Sequence, residues 1–170
     1  MQNETISNSN YDFFYFGGTD NSYAFETINE ISYEVKFKTS SYLFDGYSEI
    51  HIDAFELAIQ VAINLTGKNP PLDPKISHTI SAIFRDFYLK NNEQVVIYIC
   101  DSSDSRQEAR RRKFNQWVEL FKGTEFVKVD TKILDPAGPI YYNSIILRSN
   151  NPYRDQIIQS FIDLADEQQK

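Results

Sequence analysis

Serine, carboxylate and guanidinium side chains are concentrated in a short stretch that follows the apolar residues 95–100. Arginine can bind a phosphate or a carboxylate through two parallel hydrogen bonds, and serine hydroxyls can add further donors. If a helix begins in this stretch, its first backbone N–H groups also favour an anion. The stretch is therefore a candidate ligand-binding site, made of Asp101, Ser102, Asp104, Ser105, Arg106 and Arg110.

The periodicity of the residues that follow predicts that Arg110 faces the protein interior. Phe114 belongs to an apolar stripe with helical spacing, and Arg110 lies one turn earlier on the same face. An inward-facing guanidinium needs an anion, because an unpaired buried charge is costly. The sequence favours pairing of Arg106 and Arg110 with Asp101 and Asp104, or with a carboxylate of another element, which would fix the helix to the sheet. Binding of an anionic ligand is the alternative.

Metal binding and nucleophilic catalysis fit this stretch less well. Asp101 and Asp104 have a spacing that suits Mg²⁺, but the neighbouring arginines would repel a cation, so no metal is predicted. Cys100 ends an apolar strand, as core cysteines often do; the alternative is a thiolate stabilised by the helix dipole. His51 and a nearby carboxylate could perform acid–base chemistry, although a solvated strand face explains them as well. No catalytic residue is predicted.

Composition and charge indicate a protein with one apolar core. The 170-residue chain is 41% hydrophobic and 15% aromatic, which predicts a single domain over residues 11–168 after a flexible tail of residues 1–10. A net charge of −7 argues against nucleic acid as a partner. The single cysteine, the lack of a signal-peptide pattern and the lack of an apolar run of about 20 residues predict a cytoplasmic protein that does not span a membrane.

Periodicity and turn residues predict an α+β fold with a mostly antiparallel sheet, in the order β-β-β-β-α-β-α-β-β-α. The predicted strands are residues 11–16, 22–28, 31–39, 49–65, 94–100, 125–134 and 140–148. Capping patterns predict three helix starts, at Asp73 before Pro74, at Ser105 with Glu108, and at Asn151 before Pro152. Gly123 ends the second helix, and residues 135–138 suit a type I turn between the last two strands.

Residues 49–65 allow two interpretations. Apolar residues occupy even positions up to Ile52 and odd positions from Phe55, a change of phase that a long strand with a β-bulge at Ala54 and Phe55 would explain. A helix over residues 55–65 also fits. The strand is favoured, because the alternation is long and Ile, Val and Phe prefer strands.

In residues 11–16, aromatic side chains on both faces predict a strand that is covered on both sides.

Three runs of the sequence occur in a distinctive order: PPLDP…HTI…IF, then CDSSDSRQEARRRKFNQW, then YYNSIIL…NPY. Together they resemble a bacterial family of unknown function, domain-of-unknown-function family 6169. The likeness extends from the aromatic first strands to the final helix. The resemblance implies a stand-alone bacterial protein and implies no particular activity.

The order of elements is similar to the core of the general N-acetyltransferase superfamily. In that superfamily the bulged strand and the next strand splay apart to admit acyl-CoA, and backbone N–H groups of the following loop bind its pyrophosphate. That loop reads Arg/Gln-x-x-Gly-x-Gly/Ala, whereas residues 67–74 contain one glycine and three prolines, which lack N–H donors. Asp73 places a negative charge where a phosphate would lie. Phe114 stands where those enzymes often have a tyrosine as general acid.

We therefore expect a ligand-binding or protein-binding module with an acetyltransferase-like fold, whose ligand would be a small anion. The alternative is an acyl-CoA-dependent N-acyltransferase with an atypical pyrophosphate loop, and only under this alternative is acetyl-CoA expected as a cofactor. The sequence leaves open whether the protein is an enzyme.

Overall fold

A computed structural model of the chain describes residues 9–100, 105–134 and 138–168. Within these ranges it has one seven-stranded, mostly antiparallel sheet and three α-helices. The strands are β1 (Phe13–Gly17), β2 (Ser22–Glu26), β3 (Ile31–Thr39), β4 (Ala54–Asn64), β5 (Val95–Cys100), β6 (Phe126–Leu134) and β7 (Ile140–Arg148). The helices are α1 (Pro74–Lys90), α2 (Gln107–Phe121) and α3 (Arg154–Glu167), and a 3-10 helix spans Ser41–Phe44.

The strands lie side by side in the order β1-β2-β3-β4-β5-β7-β6. Neighbouring strands are antiparallel except β4 and β5, which are parallel. Residues 54–56 of β4 pair with residues 95–97 of β5, after which β4 continues along β3 alone. The sheet thus consists of two antiparallel halves, β1–β4 and β5-β7-β6, joined by a short parallel ladder.

An aromatic core fills the space between α1, α2 and one face of the sheet. Phe37 of β3 stacks on Phe87 of α1 with ring centroids 3.8 Å apart, and Phe84 stacks on Phe121 of α2 at 4.7 Å. On the opposite face, α3 and the 3-10 helix cover a smaller, mainly aliphatic cluster. None of the three helices in the described ranges has the length and apolar character needed to cross a membrane.

The segment 49–65 is a strand rather than a helix, but the predicted start and bulge are wrong. The strand β4 begins at Ala54, because β3 ends at Thr39 and no strand of the described ranges lies beside the residues before Ala54. Ile52 is buried from a loop instead. The bulge lies near the other end of β4: Ser32 pairs with Ile63 and Tyr33 with Val61, so one extra residue stands between the two partners.

Two of the predicted helix ends are confirmed. The carboxylate of Asp73 accepts a hydrogen bond from the backbone N–H of Lys75 at 2.9 Å, and Pro74 is the first residue of α1. After α2, Gly123 adopts a φ of +47°, the left-handed conformation expected of a glycine that follows a helix.

The other two predicted caps are wrong. Ser105 has a φ of +60° and lies one residue before the N-cap position, which Arg106 occupies without a side-chain cap. Glu108 turns instead towards Tyr142 and Arg111. The third helix begins at Arg154, and the Asn151 side chain accepts a hydrogen bond from the backbone N–H of Tyr153 in the turn before it. The predicted type I turn at residues 135–138 lies largely outside the described residues.

The first strand is not covered on both faces. It forms one edge of the sheet, and the side chains of Phe14 and Phe16 are 66% and 70% exposed. The strand β3 shows the predicted alternation, with Ile31, Val35 and Phe37 buried and the intervening side chains more exposed.

Candidate functional site

The first turns of α2 lie above the ends of β5 and β7. The predicted apolar stripe of α2 is confirmed, since Phe114, Trp117, Val118 and Phe121 are buried. Phe114 stacks on Tyr98 of β5 with ring centroids 4.0 Å apart. This contact brings the basic residues one turn earlier in α2 over the polar ends of the strands.

The predicted site residues are only partly described by the structure. Asp101, Ser102 and Asp104 lie outside the described residues, so their pairing with Arg106 and Arg110 stays a prediction. Ser105 and Arg106 are exposed immediately before α2. Arg110 is half-buried, in the predicted direction, and its charge acts on the buried Cys100.

Arg111, which follows Arg110 in α2, makes several contacts with described residues of the site. Its guanidinium carbon lies 4.6 Å from the centroid of the Tyr142 ring, a cation–π distance. One Nη donates to Glu108 at 3.2 Å, and Nε is buried without a hydrogen-bond partner among the described residues. The Tyr142 hydroxyl donates to the other oxygen of Glu108 at 2.5 Å. Glu108 therefore holds both the arginine and the tyrosine.

Strands β6 and β7 supply a second row of polar groups on the same face of the sheet. Asp130 pairs with Ser144 and Lys132 with Tyr142 across the two strands. The Ser144 hydroxyl donates to Asp130 at 2.6 Å, and Lys128 also forms an ion pair with Asp130. Because side chains of a strand alternate between faces, Lys128, Asp130 and Lys132 all point towards α2.

A cavity of about 200 Å³ lies between these two groups of residues. Arg111 borders it from α2, and the sheet side is formed by Asp130, Thr131, Lys132, Tyr142, Asn143 and Ser144. Two of the charged side chains that border this cavity are basic, Arg111 and Lys132, and one, Asp130, is acidic.

Burial and hydrogen bonds set the protonation states in this site. Burial raises the pKa of the Cys100 thiol to about 11, although the nearby Arg110 and Arg111 act in the opposite direction. The thiol is therefore protonated at neutral pH and is a poor nucleophile. The hydrogen bond to Glu108 raises the pKa of Tyr142, and the hydrogen bonds from Tyr142 and Arg111 lower the pKa of Glu108. Glu108 is thus ionised at neutral pH.

Residues 72–163 match the model of DUF6169, which is described as a family of unknown function. This match covers more than half of the chain. The chain belongs to this family. No curated protein and no solved structure matches the chain.

The match confirms the family resemblance in residues 72–163, whereas the predicted likeness extended to the aromatic first strands. The DUF6169 region begins just before α1 and ends within α3. It therefore contains α2, β5, β6 and β7, which form the site, and leaves out β1–β4. All described residues of the site lie in the part of the chain that defines the family.

His51 and Asp53 are the histidine and carboxylate for which acid–base chemistry is conceivable from the sequence. His51 lies 3.0 Å from Asp53, but in an exposed loop before β4 and not on a strand face. Within the described part of this DUF6169 protein, no three His, Cys, Asp or Glu side chains are grouped so that they could hold a metal ion.

The start of α1 is closed by a carboxylate of the protein itself. One oxygen of Asp73 accepts from the backbone N–H of Lys75 at 2.9 Å, and the other accepts from the Tyr11 hydroxyl at 2.5 Å. Lys75 in turn lies 4.6 Å from the centroid of the Tyr11 ring. The negative charge and the filled position both disfavour a phosphate at this helix N-terminus.

The sequence alone did not identify Arg111, Glu108, Tyr142, Ser144 or Asp130 as parts of the site. The alternation of residues 126–134 could have placed Lys128, Asp130 and Lys132 on one face. It could not have shown that this face lies beneath α2, since that depends on the insertion of β7 between β5 and β6.

Proposed function

We propose that this protein is a binding module for a small anion, such as a phosphate or carboxylate group, held between α2 and the β6–β7 hairpin. The supporting observation is the position of Arg111, which borders the cavity beside Lys132 and is held in place by Tyr142 and Glu108. A guanidinium fixed in this way loses little further freedom when it binds an anion, and its planar fork suits two oxygens at once.

The size and charge of the cavity agree with this ligand class. Its volume of about 200 Å³ is below the range of about 300–1,000 Å³ that is usual for drug-sized ligands. It therefore suits a small group better than a whole nucleotide. The basic residues around it would favour an anion. The predicted residues Ser105 and Arg106 are exposed at the same end of α2, and Arg110 is half-buried one turn further along.

A binding role is better supported than catalysis at this site. The Cys100 thiol is protonated at neutral pH, and the Ser144 hydroxyl donates to Asp130 rather than to a histidine. The described histidines lie elsewhere, His51 before β4 and His78 in α1. A serine without a neighbouring general base near pH 7 is a weak nucleophile.

Isothermal titration calorimetry with phosphate and with malonate tests this proposal. We expect Arg111→Ala to weaken binding about 10-fold or more, since a hydrogen bond to a charged group contributes about 1.5–3 kcal/mol. Arg111→Lys should bind these anions little better than Arg111→Ala does, because an ammonium group cannot form two parallel hydrogen bonds to one anion. Arg112→Ala is the matched control, since Arg112 is an exposed arginine of the same helix. Equal weakening by the Ala substitutions at both arginines, or no binding by the unmodified protein, would refute the proposal.

A second candidate function is an acyl-CoA-dependent N-acyltransferase with an acetyltransferase-like fold. The observation that favours it is the parting of the parallel strands β4 and β5 after residues 54–56 and 95–97, as that fold requires for its acyl-CoA cleft. Against it, the Asp73 carboxylate occupies the start of α1, and Phe114, where the general acid would be, is buried against Tyr98.

Titration with acetyl-CoA distinguishes the two functions. The acyltransferase interpretation predicts binding that survives Arg111→Ala and becomes tighter with Asp73→Asn, which removes a negative charge near the expected pyrophosphate position. The anion-binding interpretation predicts phosphate binding that Asp73→Asn leaves unchanged. A protein that responds to neither ligand would instead indicate a macromolecular partner and would refute both.

A further inference from the structure

A second cavity, of about 450 Å³, lies on the opposite face of the sheet from the anion site. The first half of α3 packs closely on the sheet, with Ile157 and Phe161 buried. Phe161 also borders the cavity, together with Leu164, Ala165 and Gln168 further along. The helix therefore forms one wall of a slot whose other wall is the sheet.

The sheet wall is formed by residues that alternate with those of the anion site. Thr131 and Ile133 of β6 face the slot, whereas their neighbours Asp130 and Lys132 border the anion site. Ile97 and Ile99 of β5 complete the apolar part of this wall. Thr131 and Asn143 border both cavities. Arg111 borders only the anion site, whereas Ile99 and Ile133 border only the slot, so substitutions at these three residues each alter one cavity.

The described lining of the slot is mainly apolar and contains no charged residue. Ile99 is 36% exposed and Ile133 is half-buried, so part of their apolar surface is open to water. Covering such surface is favourable. Thr131 and Asn143, which pair across β6 and β7, supply neutral hydrogen-bonding groups in the wall.

We propose that this slot binds a neutral, elongated hydrocarbon chain that carries one uncharged hydrogen-bonding group. The volume lies within the range of about 300–1,000 Å³ that is usual for small-molecule sites. From Phe161 to Gln168 the α3 wall extends for about 10 Å, at about 1.5 Å per residue, which calls for a chain rather than a compact ligand. A charged head group would be disfavoured, because the described lining offers it no partner of opposite charge.

A series of straight-chain primary alcohols, titrated by calorimetry against the whole chain, tests the proposal. Each added methylene should tighten binding about fourfold until the chain fills the slot, after which the gain should stop. Carboxylates of equal length should bind more weakly at pH 7. Arg111→Ala should leave alcohol binding unchanged, so that failure of the anion site and failure of the slot are distinguished.

Ile99→Trp should fill the slot and weaken alcohol binding at least tenfold. The matched control is Ile63→Trp, which enlarges an exposed β-strand isoleucine outside the cavity. If Ile99→Trp unfolds the protein, Ile133→Trp fills the slot from the neighbouring wall. Binding that is not saturable, that favours carboxylates, or that persists in a folded tryptophan variant would overturn the proposal. The proposal would also be overturned if the unmodified protein were a dimer that dissociates in the tryptophan variant, because a second copy of the chain would then occupy the slot.

Discussion

Replacing Asp73 tests how the start of α1 is held. The backbone N–H of Lys75 and the Tyr11 hydroxyl both donate to this carboxylate. Loss of a helix N-cap costs about 1 kcal/mol, and loss of the Tyr11 hydrogen bond at this half-buried position costs about 1 kcal/mol more. We therefore expect Asp73→Ala to lower the free energy of unfolding by about 2 kcal/mol, which lowers Tm by about 4–8 °C for a chain of this size.

Urea denaturation followed by tryptophan fluorescence is a suitable assay. Trp117 is the only tryptophan, and its indole N–H donates to Ser77 of α1 at 3.0 Å, so it reports on the packing of α2 against α1. Asparagine caps helices about as well as aspartate, and Asp73→Asn should therefore lose less stability than Asp73→Ala. Tyr11→Phe, made in the unmodified protein and in Asp73→Ala, measures the coupling free energy between Tyr11 and Asp73. A loss below 0.5 kcal/mol for Asp73→Ala, roughly the level of ordinary surface substitutions, would refute this reasoning.

Three further predictions concern the core and the titrating groups. Phe87→Ala should destabilise the protein by about 3–5 kcal/mol in urea denaturation, because Phe87 is buried and stacks on Phe37; a loss under 1 kcal/mol would contradict the packing. Burial acts to raise the pKa of Asp86, but hydrogen bonds from Lys90 and Tyr23 lower it overall. The Asp86 carboxylate therefore stabilises the folded protein at pH values above the pKa that it has in the unfolded chain. This stabilisation is lost as the pH falls through the lower pKa that it has in the folded protein. Asp86→Asn should reduce the acid dependence of stability measured below about pH 4, and an unchanged dependence would argue against the network. Cys100, with a pKa raised from 9.0 to about 11, should react with iodoacetamide at pH 8 about 100-fold or more slowly in the folded protein than in urea; equal rates would show an accessible thiolate.

Much of the fold could be predicted from local patterns. The alternation of β3 and the apolar stripe of α2 follow directly from the sequence, as does the cap at Asp73. These features depend on residues within a few positions of one another. Local patterns were less informative where a distant strand decides the outcome. The alternation at Ile50 and Ile52 resembles a strand, yet in the part of the chain that the structure describes no strand pairs with those residues.

The candidate site likewise combines features that nearby residues predict with features that depend on distant strands. Sequence periodicity predicts that Arg110 faces the protein interior, and this side chain is half-buried. The contacts of Arg111 with Tyr142 and Glu108 were not predicted. Tyr142 lies 31 positions after Arg111 in the chain, and the order of strands in the sheet brings the two together. The same order creates the slot beneath α3, for which no local motif exists.

The most direct test of anion binding is a crystal structure of the protein grown with phosphate, beside a structure of Arg111→Ala from the same conditions. We predict a phosphate in the cavity between α2 and the β6–β7 hairpin, within hydrogen-bond distance of both Arg111 and Lys132, and no phosphate there in the variant. A cavity without phosphate in the unmodified protein, or phosphate held identically when Arg111 is replaced, would contradict the proposed function.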